Sequence, residues 1–292
     1  MPNIPFIHSR RRTDRDDVIR AIERHRGPAI IAALGPELYQ RTRDARATHG
    51  EVRRFDPFEL AGVPSDSWSP LAACTTWDSA LDVAWRFAAV AEGEQRAVEH
   101  GEFWVILAEQ WLAPLLFAAA AAGDDIQQVL TWAHGHAQRT VEATLRNLIA
   151  ASRTNQTRAD AHAALLSARQ FSTHSPRLRA SVQAAVQGLL RAYRFTRVQR
   201  SAASPDISPG WLLAGANTVY LIGDAKAARL LRPLMTALLE ELVCALPDSG
   251  RTVLLAEADA AALGSLSPTT RHLAETGSLR SLSVPPSGDR HP

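Results

Sequence analysis

The first part of the chain has the apolar pattern of a strand–helix–strand unit. The run PAIIAA at 28–33 is short and apolar and is closed by a Gly-Pro pair, which is typical of a buried parallel strand. The segment 37–49 has helical character, and EVRRFDP at 51–57 predicts a second strand. Two strands and a helix within about 30 residues have the size of a βαβ unit.

The middle of the chain, from Trp77 to about Arg200, is almost entirely helical in pattern. Apolar side chains recur three or four positions apart, as they do in helices that bury one face. The Ser175-Pro176 pair is typical of a helix start and predicts a helix over 177–194. A strand–helix–strand pattern returns after the Ser/Pro-rich segment 201–210.

This second strand–helix–strand pattern consists of NTVYLIG at 217–223, a helix over 225–245 and RTVLLAEA at 251–258. The strand pieces are too short to bury their faces separately, so we expect all of them in one parallel sheet, with the helical region standing apart. The predicted fold class is α/β, mostly helical overall, with a large all-helical insertion. The predicted parts are an N-terminal extension, a first core part, the all-α insertion, a second core part and a disordered tail: 1–27, 28–74, 75–200, 201–275 and 276–292.

Composition narrows the class of protein. The chain has 292 residues, 46% of them hydrophobic, which suffices for a sizeable core. Cys74 and Cys244 lie far apart, which excludes a disulfide scaffold and a zinc module and favours reduced thiols. The longest apolar tract, 105–122, contains Glu109 and a proline, whereas a bilayer span needs about 20 nearly uncharged residues. We therefore expect no transmembrane segment and a cytoplasmic protein, held at the inner face of the membrane at most through partners.

An ordered series of segments resembles the TraG/TraD-type conjugative coupling proteins, in particular their actinobacterial branch. These are the RecA-like DNA-pump ATPases of type IV secretion systems. The segments that carry the resemblance are PAIIAALGPELYQRTRDARATHG (28–50), VRRFDP (52–57), SWSPL (67–71), LAPLLFAAA (112–120), PRLRASVQAAV (176–186), TVYLIGD (218–224), PLMTALLEELV (233–243) and VLLAEADAAALGSL (253–266). The resemblance implies a RecA-like sheet whose helical insertion faces DNA and its processing proteins.

The chain departs from the family at the positions that handle nucleotide. Nothing in 1–34 matches the phosphate loop GxxxxGK[ST], whose amides and lysine hold the phosphates. Ala256 stands where the family has its magnesium-directed aspartate, whereas Glu257 stands where the family keeps a water-activating acid. ATP and Mg²⁺ are expected for the family, but we expect no cofactor here. The chain thus resembles a truncated, degenerate ATPase that is inactive alone, with Glu257 as a residual catalytic acid.

The charges are segregated along the sequence. Residues 55–142 carry a net charge of −10, and residues 143–205 carry +9. Tyr193 and Phe195 are interleaved among the arginines of the positive segment. This pattern predicts binding to single-stranded nucleic acid, since guanidinium groups contact phosphates and aromatic rings stack on bases. Pairing of these arginines with the acidic segment 55–142 is the competing interpretation. The candidate nucleic-acid-binding residues are Arg177, Arg179, Arg191, Arg194, Arg197 and Arg200.

The sequence therefore favours a coupling-protein-like component of conjugative DNA transfer or type IV secretion. It would act through DNA or protein recognition by its helical region. Expected partners are single-stranded or duplex DNA, an intact coupling-protein paralogue, or a protein of the relaxosome. One alternative is an ATP hydrolase whose phosphate loop another chain supplies. The other is a helical scaffold for protein partners.

Overall fold

The computed structural model describes residues 15–95, 101–135, 137–257 and 268–283. Its centre is a five-stranded parallel sheet in the order β2-β3-β1-β4-β5. The strands are β1 (Ala29–Leu34), β2 (Val52–Phe55), β3 (Thr218–Gly223), β4 (Val253–Glu257) and β5 (Leu279–Ser283). Strands from both ends of the sequence are therefore neighbours, which confirms the predicted α/β class.

The central strand β1 joins the two halves of the sheet. Ile30 lies beside Val219 of β3 on one side and Leu255 of β4 on the other. All three side chains are at most 1% exposed, as expected for short apolar strands covered on both faces. The prediction that 28–33 and 253–257 share one parallel sheet is confirmed.

The predicted disordered tail is wrong for residues 279–283, which form β5 at one edge of the sheet. β5 pairs in parallel with β4, and Leu279 is buried against the core. Gly277, with φ of 84°, makes the turn between the preceding helix and this strand. The Ser-rich composition concealed the strand, because only one face of an edge strand needs apolar side chains. Residues 284–292 lie outside the described part of the chain.

Helices account for most of the remaining described residues. In chain order they are α1 (Arg15–Arg24), α2 (Glu37–Ala47), α3 (Trp77–Gln95), α4 (Gly101–Ala122), α5 (Ile126–His134), α6 (Gln138–Ala151), α7 (Asn155–Thr173), α8 (Pro176–Leu189), α9 (Thr196–Arg200), α10 (Pro209–Ala214), α11 (Ala228–Cys244), α12 (Leu246–Ser249) and α13 (Pro268–Glu275), with 3₁₀ helices at Pro70–Ala73 and Arg191–Arg194. The long helices α3 to α8 form the predicted helical region.

The helical region does not stand apart from the sheet, contrary to the prediction. One continuous apolar core runs from Ile30 and Leu255 in the sheet to Trp111 in α4. Trp68 bridges the two parts, because its ring stacks on Phe87 of α3 at 6.4 Å between centroids and its Nε1 donates to Glu241 of α11 (3.0 Å). Helix α11 contacts β3 and also packs on α3, so it links the helical region to one face of the sheet.

Helices α1 and α2 cover the opposite face of the sheet. Arg46 of α2 is fully buried there and ties this layer together. Its Nε donates to Thr218 Oγ1 (2.8 Å), and its Nη2 donates to the carbonyl oxygens of Gly27 (2.7 Å) and Ala216 (3.1 Å). Its Nη1 donates to the carbonyl oxygen of His25. The guanidinium group is thus satisfied by neutral acceptors from two segments, 25–27 and 216–218, without a carboxylate.

Candidate functional site

The carboxyl ends of β1 and β4 form a crevice of the kind in which α/β proteins bind ligands. The chain leaves β1 for α2 on one face of the sheet and then reaches the edge strand β2. It leaves β4 towards α13, which packs on the other face, and then reaches the opposite edge strand, β5. Two adjacent connections that diverge in this way mark a topological switch point.

Glu257 is the last residue of β4 and lies at this crevice. It lies beside Ala32 of β1 and Ser283 of β5, and it is only 6% exposed. Its Oε1 has no hydrogen-bond partner among the described residues. Burial disfavours the charged carboxylate and raises the pKa of Glu257 to about 7. Glu257, the acid predicted from the sequence, can therefore gain or lose a proton near neutral pH.

The raised pKa of Glu257 leads to a testable prediction about the stability of the fold. Below pH 4.5, the ordinary pKa of a glutamate, the Glu257 carboxyl is protonated in both the folded and the unfolded chain. Between this pH and about 7 only the unfolded chain releases the proton, so the free energy of unfolding falls as the pH rises. Glu257→Gln is therefore expected to raise the free energy of unfolding by about 3 kcal/mol at pH 8 and to change it little at pH 4. Urea unfolding at both pH values measures this, and equal stabilities at pH 8 would refute the assigned pKa.

The described residues of β4 offer no strong ligand for a magnesium–nucleotide complex. Mg²⁺ prefers charged carboxylates with further oxygen ligands, and phosphoryl transfer depends on donors that hold the phosphates. The described part of β4 offers Glu257, whose pKa is about 7, and the buried methyl group of Ala256. Among the described residues no three His, Cys, Asp or Glu side chains are grouped to hold a metal ion.

The six predicted nucleic-acid-binding arginines lie at two ends of one helix rather than in a single patch. Arg177 and Arg179 are at the start of α8, whereas Arg191, Arg194, Arg197 and Arg200 follow its end. A helix rises about 1.5 Å per residue, so the two groups are about 20 Å apart. All are exposed except Arg179, which is half-buried and donates to the carbonyl oxygens of Ser172 (2.6 Å) and His174 (3.1 Å).

A groove between α6 and α8 gathers further arginines around the first group. The cavity has a volume of about 900 Å³, and Arg139, Arg146 and Arg179 line it together with Glu142. Glu142 accepts from Arg146 at 2.6 Å and lies 3.8 Å from Arg169. Arg139 has no hydrogen bond or ion pair in the described structure, and Arg177 is exposed beside the lining residue Pro176. The described lining of the α6–α8 groove therefore carries a net positive charge.

The second group of arginines partly pairs within the chain, as the competing interpretation expects. Arg200 lies 3.2 Å from Glu59, and Arg197 stacks over the ring of Phe58 at 4.6 Å. Among the described residues, Arg191 and Arg194 make no ion pair. Intramolecular pairing thus accounts for Arg200 but leaves most of the six arginines with their charges towards solvent.

Tyr193 cannot stack on bases, contrary to the prediction from sequence. It is 1% exposed, and its burial raises the pKa of its hydroxyl far above the ordinary value. Phe195 is 42% exposed and packs edge-to-face on Phe58 at 5.4 Å. The arginines chosen from the sequence did not include Arg139 and Arg146, although Arg146 lies in the positive segment 143–205. Their spacing of seven residues puts the two on one face of α6.

One described helix, Phe103–Ala122 within α4, is long and apolar enough to cross a membrane by length and composition. Its middle is inside the protein, because Trp111, Leu112 and Leu115 are fully buried. It lies in the core of the helical region, where a buried helix is predicted. Burial of this kind is common for core helices of soluble proteins, so the helix is weak evidence for a span.

Known structures share the fold. The plasmid coupling protein TrwB in complex with the GTP analogue GDPNP is 14% identical over 90% of this chain, with a TM-score of 0.52. TrwB with ADP and Mg²⁺ is 15% identical over 90%, with a TM-score of 0.51. At such identities the likeness shows the α/β fold alone. The chain covers 64% of the length of these coupling proteins.

The family is shown by the sequence itself. The comparison with curated proteins found no match. The sequence profile of the family described as "Type IV secretory system Conjugative DNA transfer" matches residues 24–251, more than three quarters of the chain. The match runs from the end of α1 through the helical region to the residues before β4. The chain therefore belongs to the type IV secretory system conjugative DNA-transfer family, the TraG/TraD-type coupling proteins.

Proposed function

We propose that this chain acts in conjugative DNA transfer by binding DNA through its helical region, without ATP hydrolysis of its own. The observation that carries the proposal is the α6–α8 groove. It brings Arg139, Arg146 and Arg179 together, with Glu142 as the one acid among its lining residues. The groove lies in the part of the chain that matches the family profile. A positive groove tracks a phosphate backbone without reading its sequence.

The proposed interface extends from the groove along α8. Arg177 lies beside the groove, and the exposed Arg191 and Arg194 form a second positive group at the far end of the helix. A single strand that neutralises about four phosphates would show a log–log salt slope of about −3. The partners proposed with DNA are an intact coupling-protein paralogue or a relaxosome protein. The proposed location is the cytoplasm, at the inner face of the membrane through such partners.

Salt-dependent binding of a fluorescent single-stranded oligonucleotide tests the proposal. Arg139→Gln with Arg177→Gln removes two charges that make no hydrogen bond or ion pair in the described structure. Each lost phosphate contact shallows the slope by about 0.7, so the double variant is expected to lose about 1.4. Glutamine keeps the helix propensity, so the fold should survive.

A matched control removes two charges elsewhere. Arg43→Gln with Arg229→Gln changes exposed positions on α2 and α11, away from the groove. The control variant should keep the wild-type slope and affinity. An unchanged slope in the groove variant, or an equal change in both variants, would exclude the groove as the interface. The absence of wild-type binding to single-stranded and duplex DNA at low salt would end the proposal.

A second candidate function is an ATP hydrolase completed by another chain. Glu257 favours it, because a buried carboxyl with a pKa of about 7 at a switch-point crevice suits proton transfer. The chain alone is expected to show no ATP hydrolysis above that of the Glu257→Gln variant. Hydrolysis that appears when an intact coupling protein of the family is added, and that Glu257→Gln removes, would favour the hydrolase over the proposed DNA-recognition role.

A third candidate is a scaffold for protein partners. Large apolar side chains are exposed on the helical region, with Phe103 at 49%, Ile106 at 62% and Leu166 at 68%. Exposed apolar side chains that cluster often mark protein contacts. This candidate agrees with the proposed partners and is separated from DNA recognition by the oligonucleotide assay.

A further inference from the structure

A second positive cleft lies on the opposite side of the molecule from the helical region. It is formed by the last turns of α1, the residues after it, strand β4 and the edge strand β5. Its volume is about 450 Å³. Arg20, Arg24, Arg26 and Arg280 line its walls, and the side chains of Leu254 and Leu282 supply an apolar surface.

The positive charges in this cleft are poorly balanced. Asp17 is the one carboxylate among the described residues of its lining, and it is already engaged with Arg20 at 2.6 Å. Arg26 donates to another basic side chain, the ring of His49, at 3.1 Å from Nη1 to Nδ1. Arg24 and Arg280 are exposed and make no ion pair in the described structure. Like charges held together repel, so the cleft as it stands opposes folding.

The surroundings of His25 reflect the same excess of positive charge. His25 lies in the cleft lining, and its Nε2 is 3.1 Å from the carbonyl oxygen of Pro28. Burial lowers its pKa most. The hydrogen bond with Pro28 opposes this effect, and the charges of Arg46, Arg280 and His49 lower the pKa further. A neutral imidazole adds no further repulsion, and an anion in the cleft would face several guanidinium groups at once.

We propose that this cleft binds a phosphorylated small molecule through its phosphate groups, held by Arg24 and Arg280. Planar guanidinium groups match phosphate oxygens in pairs, and an anion between them offsets their repulsion. A cavity of about 450 Å³ lies in the range of small-molecule sites. Leu254 and Leu282 give the organic part of the ligand an apolar surface.

The cleft is a site separate from both regions described above. Leu254 and Arg280 are each the second residue of their strands, so the cleft lies towards the amino ends, whereas Glu257 lies at the carboxyl end of β4. The α6–α8 groove belongs to the helical region that packs on the other face of the sheet. The inference is therefore independent of the proposed role in DNA transfer.

Thermal unfolding and isothermal titration of the full chain test the inference with inorganic pyrophosphate and adenosine 5′-monophosphate. Sodium chloride at matched ionic strength is the reference. Both ligands are expected to raise the melting temperature above this reference, because a ligand that binds only the folded state stabilises it. Arg24→Gln with Arg280→Gln is expected to weaken the binding of both ligands at least tenfold.

The charge-matched control is again Arg43→Gln with Arg229→Gln, whose positions do not line the cleft. It should bind both ligands within twofold of the wild type. Without ligand, the Arg24→Gln, Arg280→Gln variant should melt no lower than the wild type, because its substitutions remove repulsion between like charges. Such a melting temperature would show that weaker binding does not come from misfolding. Equal loss of binding in the two variants, or no stabilisation of the wild type by either ligand, would overturn the inference.

Discussion

Arg46→Met is expected to lower the free energy of unfolding by about 3–5 kcal/mol. The substitution leaves the carbonyl oxygens of His25, Gly27 and Ala216 without their donor in a buried layer. Each buried acceptor that loses its partner costs about 1–3 kcal/mol, and methionine can replace only the apolar part of the side chain. Urea unfolding followed by circular dichroism measures the loss.

Arg43→Met is the matched control for Arg46. Arg43 lies on the same helix, but its side chain is 49% exposed and its partner, Asp44, is 90% exposed. An exposed ion pair contributes little, so this variant should unfold at nearly the same urea concentration as the wild type. If Arg46→Met were as mild as Arg43→Met, the buried hydrogen bonds would not stabilise the fold as assigned.

Trp111→Ala is expected to destabilise the whole molecule by about 3–5 kcal/mol. Trp111 is fully buried in α4 and stacks on Phe171 of α7 at 4.6 Å between ring centroids. Because one apolar core joins the helical region to the sheet, both should still unfold in a single transition. Calorimetry tests this through agreement between the calorimetric and van't Hoff enthalpies.

Trp85→Ala provides the comparison for Trp111. Trp85 lies on α3 and is 41% exposed, so truncation should cost at most about 1 kcal/mol. Two separate transitions in Trp111→Ala, with the sheet melting as in the wild type, would show that the helical region is an independent domain and that the shared core does not couple the parts.

Local pattern was sufficient to predict four of the five strands. β1, β3 and β4 are short apolar runs bounded by Gly, Pro or polar residues, and such runs are typical of buried parallel strands. β5 was missed because it is an edge strand of sequence LRSLS, half of whose side chains need not be apolar. The shared core was missed because packing between α3 and α11 depends on residues far apart in the sequence.

The candidate sites, like the strands, could be predicted only in part from the sequence. Glu257 could be predicted from the segment that resembles the family, but its pKa depends on burial that only the fold provides. The arginine run could be read from the sequence, whereas the α6–α8 groove needs two helices to meet and adds Arg139 and Arg146. Composition did not predict the burial of Tyr193, an aromatic residue among arginines whose side chain lies in the core.

Photochemical crosslinking of a bromodeoxyuridine-substituted single strand to the full chain tests the central claim most directly. Mass spectrometry of the crosslinked peptides locates the DNA on the sequence without relying on any substitution. The α6–α8 groove predicts crosslinks in peptides from 138–146 and 176–194, and these crosslinks should fade as salt is raised. Crosslinks confined to α1, β4 and β5, or none at low salt, would contradict DNA recognition by the helical region.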